Sequence, residues 1–243
     1  MSAVVRLGVL GGTFDPVHRG HLRMARAAEV ACGLSRIYFV PAAHPWHKAV
    51  PTASYADRYA MVALALLRSP RWMPLDLGAA SATYAVDQIR HLRRLYPGSR
   101  LFFIVGADAM ATLPSWKQPQ ALLRLCDIIV LARAGFSLGD MIAALPPRLR
   151  PAPDRGPRPR AQINAQSNAH PTQRGEPQDA AAVQVVKLAG GSHLYWLARF
   201  QDPFSSTQAR QWLAAPASPN SGRPPLPAAV AAYARRAHLY CHA

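Results

Sequence analysis

The sequence predicts an α/β protein: a doubly wound parallel sheet with a small helical part at the C-terminal end. Three observations lead there. Short apolar runs of strand length alternate with helical stretches. The strands are apolar throughout, as strands covered by helices on both faces are. A glycine turn, Gly11-Gly12, stands between the first apolar run and an alanine-rich helix.

Element by element, residues 4–10 form the first strand and 20–32 the first helix, stopped by Gly33. A short buried strand spans 37–40, and a loop, Pro41 to Lys48, follows it. Ser54 opens a helix to about residue 68, with Asp57 at the capping-box position three residues on. Residues 72–77 form a short strand, and 83–96 a helix that ends at Pro97-Gly98. An apolar strand over 101–105 runs into Gly106-Ala107-Asp108. Helical residues 118–125 and a buried strand at 127–132 complete this part. The order is that of a Rossmann-like sheet, in which ligands bind at the carboxyl ends of the strands where strand order reverses.

Composition changes after Leu145. Residues 146–178 hold eight prolines and six arginines with almost no apolar periodicity. Such a segment buries too little surface to offset chain entropy, so 146–180 reads as a disordered or loosely packed insertion in a single domain spanning 1–243. Strands return at 183–188 and 194–197. A helix opens at Phe204-Ser205, a weak linker covers 216–225, and a final helix spans 227–238.

The 243-residue chain carries 28 Lys and Arg against 12 Asp and Glu, a formal charge of +16. The arginines are scattered and form no basic stripe interleaved with aromatics, so small anionic substrates rank ahead of nucleic acid as partners. No apolar run reaches the ~20 residues of a membrane span, and the N-terminal apolar run belongs to a strand, so a cytoplasmic location is expected. The three cysteines, Cys32, Cys126 and Cys241, are far apart and suit a reducing compartment better than a disulfide or zinc framework.

The chemistry centres on residues 11–21, Gly-Gly-Thr-Phe-Asp-Pro-Val-His-Arg-Gly-His. Strand, glycine turn and helix bring backbone N–H groups and a helix N-terminus to a phosphate. His18 and His21, three apart, share one face of the first helical turn. The spacing is neither that of a dinucleotide fingerprint nor that of a P-loop. A second helix N-terminus stands at Ser205-Ser206-Thr207-Gln208-Ala209-Arg210. It is either a plain capping box, Ser205 with Gln208, or a second phosphate site of hydroxyls, N–H groups and an arginine. Asp108, just past a strand end, is either a helix cap or a ribose contact. Trp116 is either a core residue or an aromatic platform.

The first string resembles the signature of the H-x-G-H nucleotidyltransferases, which move AMP or CMP from a nucleoside triphosphate to a phosphate. With histidine at both positions it is most similar to the bacterial nicotinate-nucleotide adenylyltransferase branch. The segment 204–210 resembles that family's I-S-S-T-x-I-R motif, with Phe204 and Ala209 in place of the isoleucines. The resemblance implies an ATP site from Gly11, Gly12, Thr13, Phe14, His18, His21, Gly106, Asp108, Ser205, Ser206, Thr207 and Arg210. His18, His21 and Arg210 are implied to act on the phosphates during transfer. It implies a mononucleotide site from Asp15, His47, Lys48, Thr83, Tyr84, Ala85, Trp116 and Arg133. Asp15 reads as a local organiser or indirect metal contact more than as a base. Trp46 replaces a proline of the family's P-P-H-K loop, and Ala85 replaces a threonine of its S-Y-T. The expected substrates are ATP and nicotinate mononucleotide, with Mg²⁺ held mainly by phosphates. The alternatives are transfer to nicotinamide mononucleotide or phosphopantetheine, or a non-catalytic nucleotide- or RNA-binding protein on the same fold.

Overall fold

The computed structural model describes residues 4–43, 51–78, 84–151, 183–198, 200, 202–215 and 224–241. Its strands are β1 (Arg6–Gly12), β2 (Arg36–Pro41), β3 (Trp72–Pro74), β4 (Arg100–Gly106), β5 (Asp127–Leu131), β6 (Val183–Lys187) and β7 (His193–Leu197). They join in one sheet ordered β3-β2-β1-β4-β5-β7-β6. All neighbours pair in parallel except β6, which is antiparallel to β7. The expectation of a parallel sheet is corrected at that edge. Only five residues separate β6 from β7, closed by Leu188 N–H to Ser192 O at 2.8 Å. A connection so short returns the chain antiparallel, because a parallel return needs a crossover.

The helices are α1 (Arg19–Cys32), α2 (Tyr55–Leu66), α3 (Ala85–Leu95), α4 (Ala107–Met110), α5 (Pro119–Leu125), α6 (Leu138–Ala144), α7 (Ser206–Ala214) and α8 (Ala228–Arg236). One face of the sheet buries Val9, Phe103 and Val105 against Ile89 and Leu92 of α3, Leu122 of α5 and Met141 of α6. The other buries Leu10, Phe102 and Ile104 against Ala25 and Ala28 of α1, Met61 of α2, Ala209 of α7 and Val230 of α8. Alternate residues of each strand face opposite layers, as the two-residue period of a strand requires. The C-terminal helices therefore pack on the same face as α1, and this brings the second predicted motif to the first.

α1 ends as its sequence predicts, with Gly33 in the left-handed region at φ 56°. The expected strand at 72–77 shortens to three residues, and β1 runs two residues further than expected, to Gly12. The helix α6, capped by Ser137 and Asp140, was not anticipated. The packed chain also continues past Leu145, where a 3-10 turn at Pro147–Leu149 buries Leu149. Residues 146–151, expected at the start of the insertion, are thus described as packed chain, and 152–182 lie outside the described residues. Among the described residues no helix is long and apolar enough to cross a membrane.

Candidate active site

The chain leaves β1 toward β2 and leaves β4 toward β5, so a crevice opens over the C-terminal ends of β1 and β4. A cavity of about 320 Å³ lies there. Its walls are Gly11 to Phe14, the first turn of α1 with His18, Gly20 and His21, and the β4 end with Gly106 and Asp108. Arg133, Asp202 and Ser205 to Thr207 close it. Two segments 190 residues apart in sequence are held together by Ser206 Oγ donating to Pro16 O at 3.3 Å.

His18 is the N-cap of α1 and His21 its third residue, and together they form a capping box. Gly20 N–H donates to His18 Nδ1 at 3.1 Å, and His18 N–H donates to His21 Nδ1 at 3.2 Å. A ring nitrogen that accepts a hydrogen bond carries no proton. In the neutral imidazoles the proton is therefore assigned to Nε2 of both rings. The rings lie 3.8 Å apart, and His21 also meets the edge of the buried Phe14 ring at 4.9 Å. The cap thus produces two oriented Nε2–H donors at a helix N-terminus. It also corrects one expectation: the N–H of Gly20 is spent on His18, and that of Arg19 donates to Pro225 O at 2.8 Å.

Ser205 caps α7 reciprocally with Gln208, as predicted: Gln208 N–H reaches Ser205 Oγ at 3.2 Å and Ser205 N–H reaches Gln208 Oε1 at 3.0 Å. Ser206 and Thr207, the first two residues of α7, line the cavity. Arg210 stands differently from expectation. Its guanidinium donates to Asp15 O at 2.9 Å and it is absent from the cavity wall, so here it ties α7 to the glycine turn.

The turn is held from beneath by buried charge. Phe14 has φ 51°, a left-handed backbone that costs a non-glycine residue about 1–2 kcal/mol. Arg58, 1% exposed, donates to Thr13 O and Ala42 O, both at 2.7 Å. Asp15 was expected at the mononucleotide, but its carboxylate is committed inside the protein. Oδ2 accepts from Thr52 N–H at 2.8 Å, and Oδ1 from Ala53 N–H at 3.1 Å and Tyr240 O–H at 2.6 Å. Burial, then the bond to Asp15, pushes the Tyr240 hydroxyl far above its ordinary pKa, so it remains a donor. Asp15 is an organiser of the turn.

Arg133 reaches the cavity from the end of β5. It was expected beside the mononucleotide, yet it pairs with Asp108 at 2.7 Å and lines the same cavity. The register explains this: Gly106 pairs with Leu131, so residues just past β4 and β5 emerge side by side.

Tyr84, Ala85 and Trp116 lie on the other face of the sheet. Tyr84 is the N-cap of α3 and Ala85 its first residue. The indole of Trp116 is edge-on to Phe103 at 5.8 Å, and its N–H donates to Thr112 Oγ1 at 3.0 Å. Phe103 in turn abuts Gly11, where a Cβ would come within 3.4 Å of its ring and 2.8 Å of Gln88 Oε1. Glycine at 11 lets the end of β1 pack closely against Gln88 and Phe103, where a side chain would clash. Lys117 Nζ sits 4.5 Å from the Tyr84 ring centroid and 2.9 Å from Asp87. His47, Lys48 and Thr83 lie outside the described residues.

Asp202 escaped the sequence reading. It is a cavity-wall carboxylate, 5% exposed in its side chain, paired with Arg23 at 3.1 Å. Its one sequence signal is an Asp-Pro step three residues ahead of a serine cap.

The family model for cytidylyltransferase-like proteins matches residues 9–212. A protein of Citrifermentans bemidjiense named "Probable nicotinate-nucleotide adenylyltransferase" is 41% identical over 145 residues, 58% of this chain and 67% of that protein. One of the same name from Neisseria gonorrhoeae is 42% identical over 135 residues, 55% of this chain and 67% of its own length. The nicotinic acid mononucleotide adenylyltransferase of Plasmodium falciparum, solved complexed with NaAD, shares the fold. Its TM-score is 0.65 at 15% identity, covering 98% of both chains. The chain belongs to the cytidylyltransferase-like family of nucleotidyltransferases.

Proposed function

We propose that the protein transfers AMP from ATP to nicotinate mononucleotide, giving nicotinate adenine dinucleotide and pyrophosphate. The observation that carries this is the paired histidine cap of α1 facing the Ser205–Thr207 cap of α7 across one cavity at the β1/β4 crevice. Its support on the acceptor side is the Trp116 platform one ring beyond Gly11 and the shared name of the relatives.

The triphosphate lies between the two helix starts. An oxygen of the mononucleotide phosphate attacks the α-phosphorus in line, and the bond from that phosphorus to the bridging oxygen of the β-phosphate breaks. The attacking phosphate is already ionised, so no protein base is needed. Catalysis is positioning and charge stabilisation. The Nε2–H groups of His18 and His21 donate to phosphate oxygens as charge builds on the departing pyrophosphate. The Thr207 hydroxyl and the α7 N-terminus hold the opposite side, with Ser206 tied to Pro16 O. Arg210 keeps the jaws at fixed separation through Asp15 O.

Mg²⁺ brought in by ATP would supply further neutralisation of the phosphates. Among the described residues no group of three or more His, Cys, Asp or Glu forms a metal cage. Asp15 is committed internally, and Asp108 and Asp202 are each paired with an arginine.

Incubation with Mg·ATP and nicotinate mononucleotide, with products resolved by mass, tests the reading. It predicts the dinucleotide and pyrophosphate in equal amounts. ATP cleaved to ADP, or no dinucleotide formed, would overturn it.

A further inference from the structure

The segment entering α7 touches the first turn of α1 through one buried side chain. Asp202 Oδ1 accepts from Phe204 N–H at 2.8 Å, closing an Asx turn that delivers the chain to the Ser205 cap. The same oxygen is seated on Gly20, where a Cβ would come within 2.9 Å of it. Oδ2 is buried and meets Arg23 of α1 as an ion pair at 3.1 Å without hydrogen-bond alignment. A carboxylate in the wall of a phosphate cavity repels its ligand, so its presence there calls for another reason. The contacts of Oδ1 supply it: they fix where α7 begins relative to α1.

We propose that Asp202 is a positioning residue of the triphosphate clamp, setting the separation of the two helix N-termini through the geometry of Oδ1 rather than through its charge. Arg23 is half exposed, and an ion pair so placed contributes little. The acceptor platform, on the other face of the sheet, is independent of it. This rests on the proposed ATP-dependent function, so the test reads ATP binding itself without any acceptor.

Calorimetric titration of Mg·ATP into the full chain compares Asp202→Ala, Asp202→Glu and Asp202→Asn. Loss of a cap-like hydrogen bond weakens ATP binding by about tenfold in Asp202→Ala. Asp202→Glu, which keeps the charge and displaces the oxygen by one methylene, weakens it to a similar degree. Asp202→Asn, which keeps the Asx acceptor, recovers most of the loss. In steady state the KM for nicotinate mononucleotide stays at the wild-type value in all three. Wild-type ATP affinity in the Ala and Glu variants would overturn the proposal. So would an Asn variant as weak as the Ala one, since charge would then be the operative property. If Asp202→Ala does not fold, the Glu and Asn variants decide the matter by the same criterion. A wild-type chain that binds ATP but makes no dinucleotide refutes the functional reading and leaves this test intact.

Discussion

The two faces of the sheet solve recognition differently. On the face shared by α1, α7 and α8, the phosphate clamp is made of helix caps and backbone turns, cross-tied by Ser206 to Pro16 and Arg210 to Asp15. On the face of α3 and α5, the candidate acceptor site is a half-buried indole that follows a 3-10 turn (Leu113–Ser115), with a tyrosine capping α3. In the proposed function the clamp takes the triphosphate, which any such transferase must bind, and the platform takes one acceptor among several. Rigid hydrogen-bonded termini suit the first task, and replaceable side chains on turns suit the second.

The comparison makes separable predictions. Breaking the clamp has the largest effect: His21→Ala removes a preorganised donor and lowers turnover about 10²–10³-fold, with the fold retained by circular dichroism. A pyrophosphate-release assay at near wild-type rate would remove His21 from the mechanism. Breaking the platform is milder and falls elsewhere. Trp116→Ala raises the acceptor KM about 10- to 100-fold through lost stacking, leaving the ATP KM alone. Equal changes in both constants would show that the two faces are not independent.

Loosening the support beneath the clamp is smallest in rate and visible in stability. Tyr240→Phe removes a hydrogen bond to the buried Asp15 carboxylate and costs about 1.5–3 kcal/mol by urea unfolding. Turnover falls less than in His21→Ala, because Ala53 N–H still holds the same oxygen.

The clamp was legible because its chemistry is local. Two histidines at i and i+3 after a glycine turn, and serine three before glutamine, fix geometry within one helical turn. Their capping role was less visible, since histidine rarely takes the place of serine at an N-cap. The partners of the other residues depended on long-range register. Arg133 follows β5, and only the pairing of β4 with β5 reveals that it meets Asp108. Asp15 belongs to a motif, yet its partners Thr52, Ala53 and Tyr240 come from distant segments. Asp202 shows the same limit, for its meaning comes from Gly20 and Arg23. The antiparallel β6 and the helix α6 were different. Gly190-Gly191 between two strands, and Ser137 three before Asp140, were readable local signals that went unread.

Acceptor choice tests clamp and platform together most directly. Pyrophosphate release from Mg·ATP, measured in parallel with nicotinate mononucleotide, nicotinamide mononucleotide and phosphopantetheine, reads both faces at once. The account predicts the highest kcat/KM with nicotinate mononucleotide and none above background with phosphopantetheine. Preferred turnover of phosphopantetheine, or release that ignores the acceptor, would contradict it.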